Sequence, residues 1–156
     1  MEIVYKKLKD LVPYANNPRD NEGAVAFVAE SIKEFGFKIP IVITPDGVIV
    51  CGHTRYLAAK QLNRKEVPCV IADDLTEEQI RAYRLADNKT AELAGWDMEK
   101  LEEELSGISM GMEVFGFDMH KELEEGLVQD EAQEEKPKEV ERIVCPRCGK
   151  VFEVEA

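Results

Sequence analysis

Cys51-Gly52-His53-Thr54-Arg55 joins a β-rich run to a helical pattern through a single glycine. Backbone N–H groups at a helix start have no intrahelical partner, and the helix dipole is positive there, so an anion is favoured. Gly52 permits close approach, while Thr54 and Arg55 add hydroxyl and guanidinium donors suited to phosphate oxygens. A phosphate cradle accounts for this pattern; so does a tight strand-to-helix turn beside a surface arginine, and spacing alone leaves both open. A second run, Cys145-Pro146-Arg147-Cys148-Gly149, has the spacing of a zinc knuckle. Two thiolates two residues apart can hold one tetrahedral Zn2+, and the glycine lets N–H groups turn toward sulfur. A closed site needs four ligands, so Cys145 and Cys148 supply half of it. Cys51, Cys69, His53, His120 or a second chain would have to supply the rest. Cys51 and Cys69 lie in apolar runs and read more simply as buried thiols. A degenerate half-ribbon or a redox pair is the other reading of the Cys-x-x-Cys.

Periodicity supplies the elements that must position these residues. A short strand is predicted over 3–8, followed by a turn-rich stretch over 12–20 containing Pro13, Asn16, Asn17 and Pro18. Val25, Val28, Ile32 and Phe35 recur at helical spacing, which predicts a helix over 22–35 closed by Gly36. Runs at 39–43 and 48–51 flank Thr44-Pro45-Asp46-Gly47 and predict a hairpin. A short helix over 54–62, a strand over 67–72, a long helix over 77–93 with an acid-rich first turn, and a further helix over 97–105 complete the pattern. The fold class expected is α/β (α+β), a small mixed sheet flanked by helices, with a zinc-knuckle-like tail.

The 156 residues hold 20 Lys+Arg against 32 Asp+Glu, a formal charge of −12, with 44% hydrophobic residues. That describes one small domain with an acidic appendage. No apolar run approaches the roughly 20 residues of a membrane-spanning helix, so no membrane partner is expected. The first ten residues mix Lys6, Lys7 and Lys9 with single apolar residues and lack the apolar core of a secretion signal, which makes the cytoplasm the default location. Residues 1–96 hold 13 basic and 14 acidic side chains, whereas 97–156 hold 7 and 18. This asymmetry argues against bulk, non-specific nucleic-acid binding and leaves room for a local basic site. Residues 129–141 contain six acids and almost no large apolar residue before Val140, which reads as a disordered linker. The organisation expected is a domain over 1–96, a helical extension over 97–127, an acidic linker over 128–142 and the Cys-x-x-Cys knuckle over 143–156.

The order of the segments says more than any one of them. Asn17-Pro18-Arg19, the helix ending Glu30-Ser31-Ile32-Lys33-Glu34-Phe35-Gly36, the strand Ile39-Pro40-Ile41-Val42, the Gly-x-x-Arg turn with its following Ala58-Ala59, and Val67-Pro68 together resemble the ParB/sulfiredoxin superfamily. Leu85-Ala86-Asp87-Asn88-Lys89, with Trp96-Asp97 and Phe115-Gly116-Phe117-Asp118 further on, looks like the ParB-like domains of phages, prophages and DNA-methylase fusions. The resemblance implies binding of ATP or CTP with Mg2+, the phosphates sitting at Gly52, His53, Thr54 and Arg55. It places Asp87-Asn88 where ParB relatives carry a Glu-Asn pair for nucleotide and Mg2+, and Arg19 as a second cation near phosphate. Glu30 falls on the helix that bears a catalytic glutamate in free-serine kinases.

Departures from the pattern limit what transfers. His53 stands where sulfiredoxin needs its cysteine, so thiolate chemistry is not expected. His53-Thr54-Arg55 replaces the Glu-Arg-Arg of ParB proper, and the acidic tail replaces its downstream DNA-binding regions. The leading expectation is a nucleotide-binding accessory factor of phage or prophage DNA metabolism or modification, reaching DNA through a partner such as a methyltransferase, with a homodimer compatible. The alternatives are a small-molecule (serine-type) kinase or ATPase using Glu30, and a protein-interaction adaptor with a vestigial nucleotide site. No dense carboxylate or histidine cluster suggests a two-metal nuclease.

Overall fold

Local chemistry starts and stops the elements largely where periodicity places them. The computed structural model describes residues 2–117, 140–144 and 151–155. The chain runs β1 (Val4–Lys7), a 3-10 turn (Leu8–Asp10), α1 (Glu22–Phe35), β2 (Ile41–Ile43), β3 (Ile49–Cys51), α2 (His53–Gln61), β4 (Glu66–Ile71), α3 (Glu77–Glu92), α4 (Met98–Ser106) and a second 3-10 turn (Glu113–Phe115). Gly36, at φ 76°, ends α1 by donating its N–H to the Ile32 carbonyl. Thr76 and Gln79 exchange side-chain and backbone bonds at the start of α3, a capping box. The Asp97 carboxylate accepts from the Lys100 N–H to start α4.

The strands order as β1-β4-β2-β3, with β2 and β4 parallel and the other pairs antiparallel. This is the mixed sheet expected, and the predicted hairpin is β2–β3. Side chains alternate between its two faces. Ile41, Ile43, Ile49, Val67 and Cys69 point to one face, none more than 1% exposed, and pack with Leu11, Tyr56 and Ala59. Ala29 and Ile32 of α1 close against Ala58 of α2 in the next layer. Each fully covered isoleucine contributes roughly 2–3 kcal/mol by its area. Val42, Cys51 and Val70 point to the opposite face. Val42 pairs with Cys51 and Ile43 with Ile49, so Val50 is the extra residue of a β-bulge that re-aims Cys51 away from the core.

The division between compact units falls after Phe117. The Phe115 ring lies 5.3 Å from that of Phe35, and Gly116, at φ 96°, packs on the Phe27 ring, so residues after α4 return to α1. In the second unit β5 (Val140–Val144) pairs antiparallel with β6 (Val151–Glu155), Val144 opposite Val151. β5 thus begins inside the stretch read as linker, where the β-branched Val140, Ile143 and Val144 outweigh the neighbouring acids. Cys145 and Cys148, between these strands, lie outside the described residues, as does His120.

Candidate functional site

The bulge at Val50 delivers the chain to Gly52, whose φ of 101° is left-handed and suits glycine alone without strain. A Cβ there would sit 3.4 Å from Arg55 Cζ and 3.5 Å from Ile41 Cα. No side chain caps the first turn of α2, which leaves its backbone N–H groups available.

The next three side chains leave this turn for different neighbours. His53 Nε2 accepts the Tyr14 backbone N–H at 3.2 Å, which requires an unprotonated Nε2. Burial, and then the nearby Arg84 guanidinium, hold the imidazole below its ordinary pKa. Thr54 Oγ1 donates to Asn21 Oδ1 at 3.0 Å. Together these two residues pin the turn-rich loop before α1 against α2. Arg55 Nη1 donates to the Ile39 and Pro40 carbonyls at 3.1 and 2.6 Å, leaving its other nitrogens unused by those bonds.

Arg55 and Asp87 line one cavity of about 880 Å3. Val42, Cys51 and Val70 of the sheet line it together with Asp73, Asp74 and, from α3, Tyr83 and Asp87. Burial, and then the charge of Asp87, push the Cys51 thiol up to about 12. Cys51 therefore stays protonated at neutral pH, unsuited to thiolate attack or to zinc. Burial also raises the Cys69 thiol. Among the described residues no group of three or more His, Cys, Asp or Glu is placed to hold a metal ion. None of the described helices is long and apolar enough to cross a membrane.

Asn88 takes a separate place. Successive helical residues are about 100° apart, and Asn88 faces a second cavity of about 360 Å3 shared with Pro18, Arg19 and Leu85. Asn88 Oδ1 accepts from Arg19 Nη1 at 2.9 Å, and its Nδ2 donates to the Arg84 carbonyl at 2.8 Å. Arg19 also lies 3.8 Å from Glu92. The residues singled out in the sequence thus divide into Arg55 with Asp87, Arg19 with Asn88, and His53 with Thr54 on the loop. Glu30 joins none of them: both its oxygens accept from Lys33 Nζ, and it lines none of the cavities described here.

Arg84 escaped sequence reasoning. It is 4% exposed, donates to the Ile49 carbonyl at 3.4 Å and stacks its guanidinium 3.6 Å from the Tyr14 ring centroid. Its Nε has no partner among the described residues. The available signal was position: Ile80, Arg84 and Asn88 share one helical stripe, where a core-facing residue is expected.

With this geometry in place, comparisons with known proteins give consistent results. The family model described as the ParB N-terminal domain matches residues 2–89. The chain is 42% identical over 80 residues to the ParB-like nuclease domain-containing protein YnaK of Escherichia coli (strain K12), covering 51% of this chain and 92% of that protein. It is 32% identical over 87 residues to the probable chromosome-partitioning protein ParB of Campylobacter jejuni, covering 53% of this chain and 31% of that one. The C-terminally truncated chromosome-partitioning protein ParB of Caulobacter crescentus, complexed with CTP-gamma-S, has a like fold. Its TM-score is 0.56 at 24% identity, over 68% of this chain and 61% of that one.

Proposed function

The chain belongs to the ParB N-terminal domain family, and on that premise we propose that it is a nucleotide-binding accessory factor of phage or prophage DNA metabolism or modification, taking ATP or CTP with Mg2+ at the Gly52 turn. The observation that carries the reading is Arg55 and Asp87 on one cavity beside an uncapped helix start. The volume of about 880 Å3 lies within the range of small-molecule sites. CTP-gamma-S is the ligand of the Caulobacter protein, and a nucleotide comes to this chain as a proposal.

The chain's own groups fit such a ligand. The N–H groups of the first turn of α2 and the unengaged nitrogens of Arg55 donate to phosphate oxygens. Three carboxylates, Asp73, Asp74 and Asp87, share the cavity with one guanidinium, so a free triphosphate is repelled more strongly than a Mg2+-bound one. Mg2+ needs only one or two carboxylates besides phosphate and water, a role Asp87 would serve. His53, Thr54, Arg19 and Asn88 act by holding the loop and α3 in register around the site.

Two further parts of the reading rest on the second unit and on partners. Cys145 and Cys148 form half of a Zn2+ site, joining antiparallel strands whose closing pair is Val144 and Val151. A homodimer would complete four cysteine ligands. A partner such as a methyltransferase would supply the sequence-specific contact with DNA.

Calorimetric titration of ATP and CTP with Mg2+ into the wild type and Arg55→Ala tests the site. Loss of one charge-assisted contact weakens binding by about 10-fold or more. No binding of either nucleotide by a well-folded wild type would retire the proposal in favour of an adaptor with a vestigial site.

A further inference from the structure

A third, chemically different depression lies at the other end of β4, about five residue steps or roughly 17 Å from the nucleotide cavity along the strand. It is a groove of about 520 Å3 edged by Lys7, Lys9, Lys60, Arg64 and Lys65. These are five of the 13 cationic side chains in residues 1–96, and among the described residues none takes part in an ion pair. Glu66 is its one acid, and Leu8 and Tyr56 give it an apolar base.

The cations stand on hydrogen-bonded backbone. Lys7 sits opposite Glu66 in the β1–β4 ladder, the Leu8 N–H donates to the Lys65 carbonyl at 2.9 Å, and the Arg64 N–H donates to the Ala59 carbonyl at 2.9 Å. Asn63, at φ 52°, turns the chain out of α2 so that Arg64 and Lys65 reach this edge. Holding five like charges around a single acid is unfavourable unless a further anion answers them. Tyr5, 70% exposed, shares a strand face with Lys7. Five cations around a single acid suit the regularly spaced phosphates of a nucleic-acid backbone, which bind by counterion release.

We propose that this groove takes the phosphate backbone of a nucleic acid, independent of sequence. The contact is direct, differs from the nucleotide cavity in place and residues, and stands whether or not that cavity binds a nucleotide. It also reconciles the acidic chain with nucleic acid: the charge that matters is local, and the strong excess of acid lies beyond residue 96.

Fluorescence anisotropy of a labelled random duplex of about 20 base pairs, titrated with the full chain between about 50 and 200 mM salt, tests it. Five neutralised phosphates give a slope of log affinity against log salt of about −4.5, at about −0.9 for each. Replacing Lys60, Arg64 and Lys65 together with alanine removes about 2.7 of that slope, with circular dichroism and Mg2+-nucleotide titration unchanged. Glu66→Lys adds a cation, so it tightens binding and steepens the slope by about 0.9 even if the triple variant folds poorly. No duplex binding by folded wild type overturns the proposal. So does unchanged binding in a folded triple variant, or loss in Arg55→Ala, which would move the phosphate to the nucleotide cavity. Poly-glutamate bound as tightly as the duplex would overturn it in favour of an acidic protein partner.

Discussion

On one face of the sheet Ile41, Ile43, Ile49, Val67 and Cys69 lie under helices, none more than 1% exposed; on the other, Val42, Cys51 and Val70 line a cavity together with Arg55, Asp73, Asp74 and Asp87. The same short strands serve both faces, and alternation along them decides which residue does which work. The two cysteines make the contrast concrete. Cys69 sits among aliphatic side chains, whereas the bulge at Val50 turns Cys51 toward a carboxylate. A sheet with one covered face and one charged face keeps its stability and its ligand chemistry on separate sets of residues, so changes to one set need not disturb the other.

That separation can be broken by experiment. Ile43→Ala on the covered face is expected to cost about 2–5 kcal/mol in urea unfolding, because it empties a closed core. Val42→Ala, one residue away on the open face, is expected to cost only about 1 kcal/mol. Equal costs would show that the open face is closed in solution. Gly52→Ala, forced to φ 101°, is expected to cost about 1–3 kcal/mol and, with its Cβ against the Arg55 guanidinium, to weaken nucleotide binding as well. Arg55→Ala is expected to change the unfolding midpoint little while weakening Mg2+-nucleotide binding about 10-fold, and chelation of Mg2+ should weaken it in the wild type.

The titratable groups sharpen the contrast further. His53 is held below its ordinary value of 6.5 in the folded chain, so below that pH the unfolded chain binds a proton that the folded chain refuses. Stability therefore falls as pH drops through 6.5, by at most about 1.4 kcal/mol per pH unit for one group. In His53→Gln this increment should vanish from the urea midpoints. Cys51 works in the opposite sense. Its thiol keeps its proton from 9.0 up to about 12 while the unfolded thiol loses it, so stability falls as pH rises through that window, and Cys51→Ala removes the loss. The smallest effect is expected for zinc. Mass-spectrometric metal analysis should give about half an equivalent per chain if a dimer supplies four cysteines, and none in Cys145→Ser.

Much of this was legible in the sequence because it depends on local chemistry. Gly36, the Thr44–Gly47 turn, the capping residues and the apolar alternation act over a few residues, so the helices and the hairpin follow from them. The glycine turn before Arg55 was readable for the same reason. What the sequence could not display is how Asp87 and Asn88, adjacent in the chain, come to face different cavities, since that depends on where α3 lies against β3. Nor could it show that Phe115 returns to Phe35 across eighty residues, or that His53 spends Nε2 on a loop amide. Arg84 was hidden by its type: a guanidinium on a core-facing stripe reads as surface until Tyr14 is seen beneath it.

The bond from the Tyr14 amide to His53 gives the loop its own reporter. An amide in an irregular segment would ordinarily trade its proton with solvent quickly, but this one is held by an imidazole that can accept only while neutral. Its exchange protection should therefore persist above the titration of His53 and collapse below it. A single slowly exchanging proton would then signal, without any ligand, whether the loop before α1 is latched to α2 or loose.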